Sequence, residues 1–278
     1  MKLYKTTKGI FLQHDESVYQ LNYQWDELVN RDGLHGFLIK VSQTATKVAD
    51  TDWQNHLLPP IENQEVWAAG VTYLQSRDAR VEESQSSGGS DLYKRVYDAE
   101  RPEIFFKATA ARVVGHGQDI SIRKDSTWNV PEPELTLFAN SNGYIEGYTV
   151  GNDMSSRSIE GENALYLPQA KTYDKSAAIG PCLMILSEPI SKDTLISIVI
   201  KRYNAAVYSD HTPLSRMKRE LTELVGFLFR ELTFPKGVFL MTGTCLVPPN
   251  DFTLEPGDVV EITIDGIGTL TNTVAHNK

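Results

Sequence analysis

The feature that most constrains this chain is an Asn-Gly pair at 142–143 between two runs that alternate apolar and polar residues. Asn-Gly accepts the positive φ angles of a tight hairpin turn, and the flanking alternation brings the chain in and out as strands. Residues 134–139 read as the first strand and 144–152 as its return. Leu135, Leu137 and Ala139 share one face. Glu132, Glu134, Thr136 and Phe138 share the other, because side chains alternate along a strand. With Asn142 and Gly143 in the turn, Ser141 pairs with Tyr144. Counting outward then sets Glu134 opposite Gly151 and Glu132 opposite Asp153. Opposed residues point the same way with Cβ atoms ~5 Å apart. The hairpin is therefore expected to gather Glu132, Glu134 and Asp153 on one side.

Three like charges so close repel unless something neutralises them. A hard divalent cation does so, and an oxygen-only donor set selects Mg²⁺, with Mn²⁺ and Ca²⁺ as alternatives, over zinc. A solvated acidic sheet face is the competing reading. Arg157 follows Asp153 by four residues in DMSSRS, and Lys171 closes LPQAK. Cations beside a triple-carboxylate site can hold an anionic substrate; taken singly, each is equally explained by a surface ion pair. In RPEIFFK, Glu103 and Lys107 flank Ile104, Phe105 and Phe106, a buried strand whose charged ends can face a cleft. The turn Thr242-Gly243-Thr244 offers hydroxyls and backbone N–H groups for a carboxylate, although turn chemistry alone also accounts for it.

The remainder predicts a β-rich α+β fold of many short strands and Gly turns. Pro59-Pro60 separates a small N-terminal domain, 1–62, from a main domain, 63–278. Residues 67–73 read as a buried strand and 76–83 as a helix. SQSSGGS at 84–90 reads as a surface loop or a mobile flap. A helix is expected from 212, with Thr212 as N-cap and Pro213 in the first position, because Leu214, Met217, Leu221, Leu224, Val225 and Leu228 recur at helical spacing. Strand runs follow at 237–240, 258–264 and 266–274. Lys+Arg 27 against Asp+Glu 36, a net charge of −9, argues against a nucleic-acid or anionic-membrane partner. No apolar run approaches the ~18 residues of a membrane span, and the N-terminus lacks a signal-peptide core. Cys182 and Cys245 sit in apolar surroundings and read as reduced thiols of a cytoplasmic protein. His14, His35 and His56 have no partner at ligand spacing. G-x-G-x-x-G, Walker A, H-E-x-x-H, C-x-x-C and G-x-S-x-G are all missing, so nucleotide binding, zinc hydrolysis and serine hydrolysis lack support.

The series PEPELTLF, GYTVGNDMSSRSIEGEN, YLPQAK, AIGP, TGT and PGDVVEITIDGIGTLTN resembles the fumarylacetoacetate hydrolase superfamily over roughly residues 65–274. AAGVTYLQSRDAR, VYDAERPEIFFKAT, RKDSTWNVPEPEL and LVPPNDFTL are similar to its 2-keto-3-deoxy-D-arabinonate dehydratase branch. The resemblance implies a mixed β-roll core with a small N-terminal domain, assembled as a homodimer or homotetramer. It implies Mg²⁺ on Glu132, Glu134 and Asp153, Lys171 reaching the metal-bound substrate, and Thr244 against the substrate carboxylate. The implied partner is a small 2-oxo sugar acid, and the implied reaction is its dehydration to 2,5-dioxopentanoate.

That reaction needs a base and an acid, for which Lys171 and Glu103 are the candidates. Ser76, Arg77, Phe106, Lys107 and Arg157 join Thr244 as expected substrate contacts. Superfamily C–C hydrolases carry a water-activating histidine where this chain has Ser76, which counts against hydrolysis. An acylpyruvate-type C–C hydrolase and a non-catalytic sugar-acid binding protein remain the alternatives.

Overall fold

The computed structural model describes residues 1–49, 51–83 and 90–277. The N-terminal segment holds strands β1 (Lys2–Thr6), β2 (Gly9–His14), β3 (Ser17–Leu21) and β4 (Thr46–Lys47), with helices α1 (Trp25–Val29) and α2 (Leu34–Ser42). Next come β5 (Glu65–Gly70), α3 (Leu74–Glu83), α4 (Ser90–Asp98), β6 (Glu103–Thr109), β7 (Val113–Val114), β8 (Asp119–Ile122) and β9 (Asn129–Val130). The central hairpin is β10 (Pro133–Ala139) and β11 (Ile145–Asp153), followed by β12 (Ser155–Ser156), α5 (Arg157–Glu162), α6 (Leu167–Lys171) and β13 (Ala177–Met184). The chain ends with β14 (Leu195–Arg202), β15 (Ala205–Pro213), α7 (Leu221–Leu228), β16 (Val238–Met241), β17 (Val259–Ile264) and β18 (Gly268–His276). The expected β-rich α+β class is what these elements form.

The main sheet runs β4-β3-β2-β1-β13-β11-β10-β16-β5-β6. Beyond β6 the chain turns through residues 110–112 into β7, which pairs in parallel with β13. The run from β13 to β6 thereby curls back on itself as a roll. A second sheet, β15-β14-β17-β18-β8, packs on its outside. β10 is buried along its whole length because each face meets a different core. Leu135, Leu137 and Ala139 join Ile198, Ile262 and Leu270 of the second sheet. Phe138 joins Val66, Ala68, Leu183 and Phe239 with Leu28 and Leu38 of the N-terminal helices. β1 pairs with β13 (Lys2 with Met184, Leu3 with Leu183), so the N-terminal strands continue the main sheet.

The hairpin register matches the expectation, although the tip does not. Glu134 pairs with Gly151, and Asp153 N–H donates to Glu132 O at 3.0 Å. At the tip, Asn140 N–H donates to Tyr144 O and Gly143 N–H to Asn140 O, with Gly143 at φ 81°. Counted from this three-residue turn, pairing would run one residue out of step. A bulge that leaves Glu146 outside the ladder, between Phe138–Gly147 and Ala139–Ile145, restores it. The Glu146 carboxylate then accepts from Gly33 N–H (2.9 Å) and Leu34 N–H (2.8 Å) at the start of α2.

Two expectations need correction. The helix from 212 begins only at Leu221: Thr212 and Pro213 pair with Ile196 and Leu195 inside β15. Met217 makes a bridge to Tyr73, and Lys218 N–H donates to Thr72 O, which interrupts the helical spacing with extended chain. The strand expected over 67–73 stops at Gly70, because Val71 takes a positive φ of 54°. The 84–90 segment lies outside the described residues except Ser90, which opens α4. Cys182 and Cys245 are buried free thiols. No helix among the described residues is long and apolar enough to cross a membrane.

Candidate active site

Glu134 and Thr136 share the sheet face of Phe138, so toward its far end the roll exchanges an apolar lining for a charged one. Glu132, immediately before β10, Glu134 and Asp153 each bring a carboxylate oxygen within 4.8 Å of the others, all three buried. α3, α5 and α6 contribute Arg80, Arg157 and Lys171 to the same small pocket, whose wall also includes Gly70, Ser76, Phe105, Gly243 and Thr244.

The acids are met by cations from several directions. Lys171 Nζ bridges Glu132 Oε2 at 2.5 Å and Asp153 Oδ2 at 3.0 Å. Arg157 Nη2 donates to Glu132 Oε1 at 3.0 Å. Lys107 approaches from β6 across the roll, with Nζ 2.5 Å from Asp153 Oδ1 and further bonds to the carbonyls of Met154 and Lys171. Glu134 Oε2 takes the Gly243 N–H at 2.6 Å. Burial would raise the Asp153 carboxyl, yet Lys107 and Lys171 outweigh it and hold the group below its ordinary value. Burial, then repulsion from Asp153 and Glu132, pushes Glu134 well above the ordinary value. Burial lowers Lys107 to about 8 despite Asp153. An oxygen-only trio this tight, with one member raised by burial and by the other two, is a donor set suited to a hard divalent cation.

Other expected residues separate. Glu103 pairs with Gly70 across β5 and β6. Its carboxylate lies against that glycine; a Cβ on Gly70 would stand 2.1 Å from Glu103 Oε2. Glu103 Oε2 is buried without a hydrogen-bond partner. Burial raises this carboxyl, against the pull of Arg80 and Lys171. Thr244 lines the pocket, where its Oγ1 accepts from Leu246 N–H. Ser76 lines it too, although its hydroxyl donates to Tyr73 O at 2.8 Å and accepts from Tyr73 N–H at 3.3 Å, at the start of α3. Lys107 is turned to Asp153 and two carbonyls rather than into the pocket wall. Phe106 faces away and packs edge-on against Trp67 (5.7 Å between centroids), whereas Phe105, on the face of Glu103 and Lys107, is in the wall. Arg77 points out to Asp78 at 2.6 Å and to the Tyr97 ring. The sequence reading missed Arg80, which a helical turn from Ser76 would have located, and its partner Glu160. No histidine stands among the described residues of the wall.

A family model described as fumarylacetoacetate (FAA) hydrolase C-terminal matches residues 65–275. The chain belongs to the fumarylacetoacetate hydrolase family. This family member is 47% identical over 247 residues to a Haloferax volcanii protein named "Probable 2-keto-3-deoxyxylonate dehydratase", covering 88% of this chain and 84% of that one. It is 44% identical over 223 residues to the 2-dehydro-3-deoxy-D-arabinonate dehydratase of Saccharolobus solfataricus, covering 79% and 74%. A solved structure of 2-keto-3-deoxy-D-arabinonate dehydratase complexed with magnesium and 2,5-dioxopentanoate matches this fumarylacetoacetate hydrolase fold with a TM-score of 0.85 at 33% identity, over 100% of both chains.

Proposed function

We propose that this protein is a hydro-lyase that dehydrates 2-keto-3-deoxy-D-arabinonate to 2,5-dioxopentanoate with Mg²⁺. The observation that carries the reading is the buried trio Glu132, Glu134 and Asp153 inside a fold shared with dehydratases at 44–47% identity. These three carboxylates would hold the ion, which when bound supplies Lewis-acid polarisation of the 2-oxo group.

The chain's own groups handle the protons and the charge. Lys171 draws Glu132 and Asp153 together, while Lys107 neutralises Asp153 from behind. Lys171 is assigned the C3 proton, which it would take as the neutral amine, once the bound ion replaces its ammonium as the counter-charge of Glu132 and Asp153. The electron pair left at C3 forms the C3–C4 double bond as the C4–O bond breaks. Glu103 is assigned the departing hydroxyl: burial raises this carboxyl above its ordinary value, which favours the protonated form an acid needs, and Oε2 has no competing partner. Its proton leaves with the C4 oxygen as water. Loss of a C5 proton and protonation of C3 then shift the double bond to C4–C5, and the resulting enol gives up its C5 hydroxyl proton as C4 is protonated, which yields the aldehyde. Arg157 and Thr244 are substrate contacts in the wall.

A C–C hydrolase using the same trio would need a group to activate water, and no histidine faces the pocket among the described residues. We keep a homodimer or homotetramer as the assembly. The buried free thiols fit a reducing, cytoplasmic setting. The test couples aldehyde formation from the pentonate to a semialdehyde dehydrogenase. Mg²⁺-dependent aldehyde release is expected; pyruvate from an acylpyruvate instead, or binding without turnover, would contradict the reading.

A further inference from the structure

Two helices over the mouth of the roll are joined by a buried ion pair for which the proton and charge assignments above have no use. Arg80 of α3 pairs through Nη1 with Glu160 Oε1 of α5, with side-chain exposures of 7% and 1%. Arg80 Nη2 lies 3.7 Å from Glu132 Oε1, and the Tyr93 ring of α4 packs 5.9 Å from the guanidinium carbon. The other cations are committed differently. Arg157 and Lys171 bond the trio at 3.0 Å or less, and Lys107 is turned to Asp153 and to backbone carbonyls. Arg80 lines the same wall and, besides its approach to Glu132, has an anchor outside the trio in Glu160.

A buried ion pair contributes little net stability, because desolvation offsets the attraction. What it does give is orientation. A guanidinium is a planar fork of donors with no acceptor, suited to carboxylate and hydroxyl oxygens. The carboxylate and keto oxygen of a 2-oxo acid belong at the trio. A 2-keto-3-deoxypentonate then has two hydroxyls left to satisfy, on C4 and C5, and Arg80 lines the pocket that would take that tail, with Glu103 and Glu132 both close enough to act on its charge.

We propose that Arg80 is the specificity-determining residue for the hydroxyl-bearing tail of the substrate, and that Glu160 is the positioning residue that aims it. The proposal rests on the dehydratase reading.

The test compares two ligands in the presence of Mg²⁺: the 2-keto-3-deoxypentonate, followed by KM or, without turnover, by calorimetric Kd, and 2-oxopentanoate, which keeps the chelating head and lacks both hydroxyls. Removing one partner strands a buried charge, so the main variant is the neutral pair Arg80→Gln with Glu160→Gln, checked for folding by thermal unfolding. Losing a charged hydrogen bond should weaken the pentonate about 10- to 100-fold and leave 2-oxopentanoate within about twofold. Arg80→Lys, which retains Glu160's counter-charge, should recover part of the loss without the fork geometry. Equal weakening of both ligands, or of neither, would overturn the proposal. Failure of the wild-type enzyme to release aldehyde would instead strike the dehydratase reading and leave the ligand comparison standing.

Discussion

The two ends of the β10–β11 hairpin line cavities of opposite character. Near the turn, Tyr144, Ile145 and Tyr148 join Ile190, Leu221 and Phe229 around a cavity of about 710 Å³. At the other end Glu134 and Asp153 line a pocket of about 10 Å³. The large cavity is walled chiefly by apolar side chains, and its Lys192–Glu220 pair is exposed. The small pocket holds three carboxylates and cations converging from three helices. Chemistry follows the buried charge rather than the available room, because water-poor surroundings strengthen each interaction and force acids such as Glu134 and Glu103 out of their ordinary range.

Substitutions should therefore separate the two ends. At the charged end, Glu132→Gln should lower turnover more than about 100-fold and weaken Mg²⁺ binding, read by the coupled aldehyde assay and by calorimetry. Gly70→Ala drives a methyl into the Glu103 carboxylate. A displacement of ~1 Å can cost about 100-fold in rate, so kcat should fall by that order while Mg²⁺ affinity holds. At the apolar end the effects should move to stability. Leu214→Ala should lose about 2–3 kcal/mol in denaturant unfolding with kcat/KM within about twofold. Glu146→Ala removes the cap on α2 and should cost about 1 kcal/mol, again with unchanged kinetics. Arg77→Ala should be the quietest, with less than about twofold change in KM, since its ion pair is exposed. Loss of turnover at Leu214, or none at Gly70, would break the contrast.

What the sequence made legible was short-range. Alternation and the Asn-Gly turn placed Glu132, Glu134 and Asp153 together because a strand's period leaves no choice of face. The agreement also rested on compensation: the real turn is one residue longer than a two-residue loop, and the Glu146 bulge cancels the offset. Phe105 was recoverable by the same parity, since it shares the face of Glu103 and Lys107. Arg80 was recoverable from helical spacing, four residues beyond Ser76. The Lys107–Asp153 pair was not, because it exists only once β7 pairs with β13 and the sheet curls. Nor was the late start of α7: strand pairing of Thr212 and Pro213 with Ile196 and Leu195 overrides a helical pattern that local spacing supports.

The most direct measurement is anomalous diffraction from a crystal soaked in Mn²⁺. The account predicts one strong peak within about 2.2 Å of an oxygen from each of Glu132, Glu134 and Asp153, abolished in Glu134→Gln. A saturating soak that leaves this position without a peak, or puts the ion against other side chains, would contradict it.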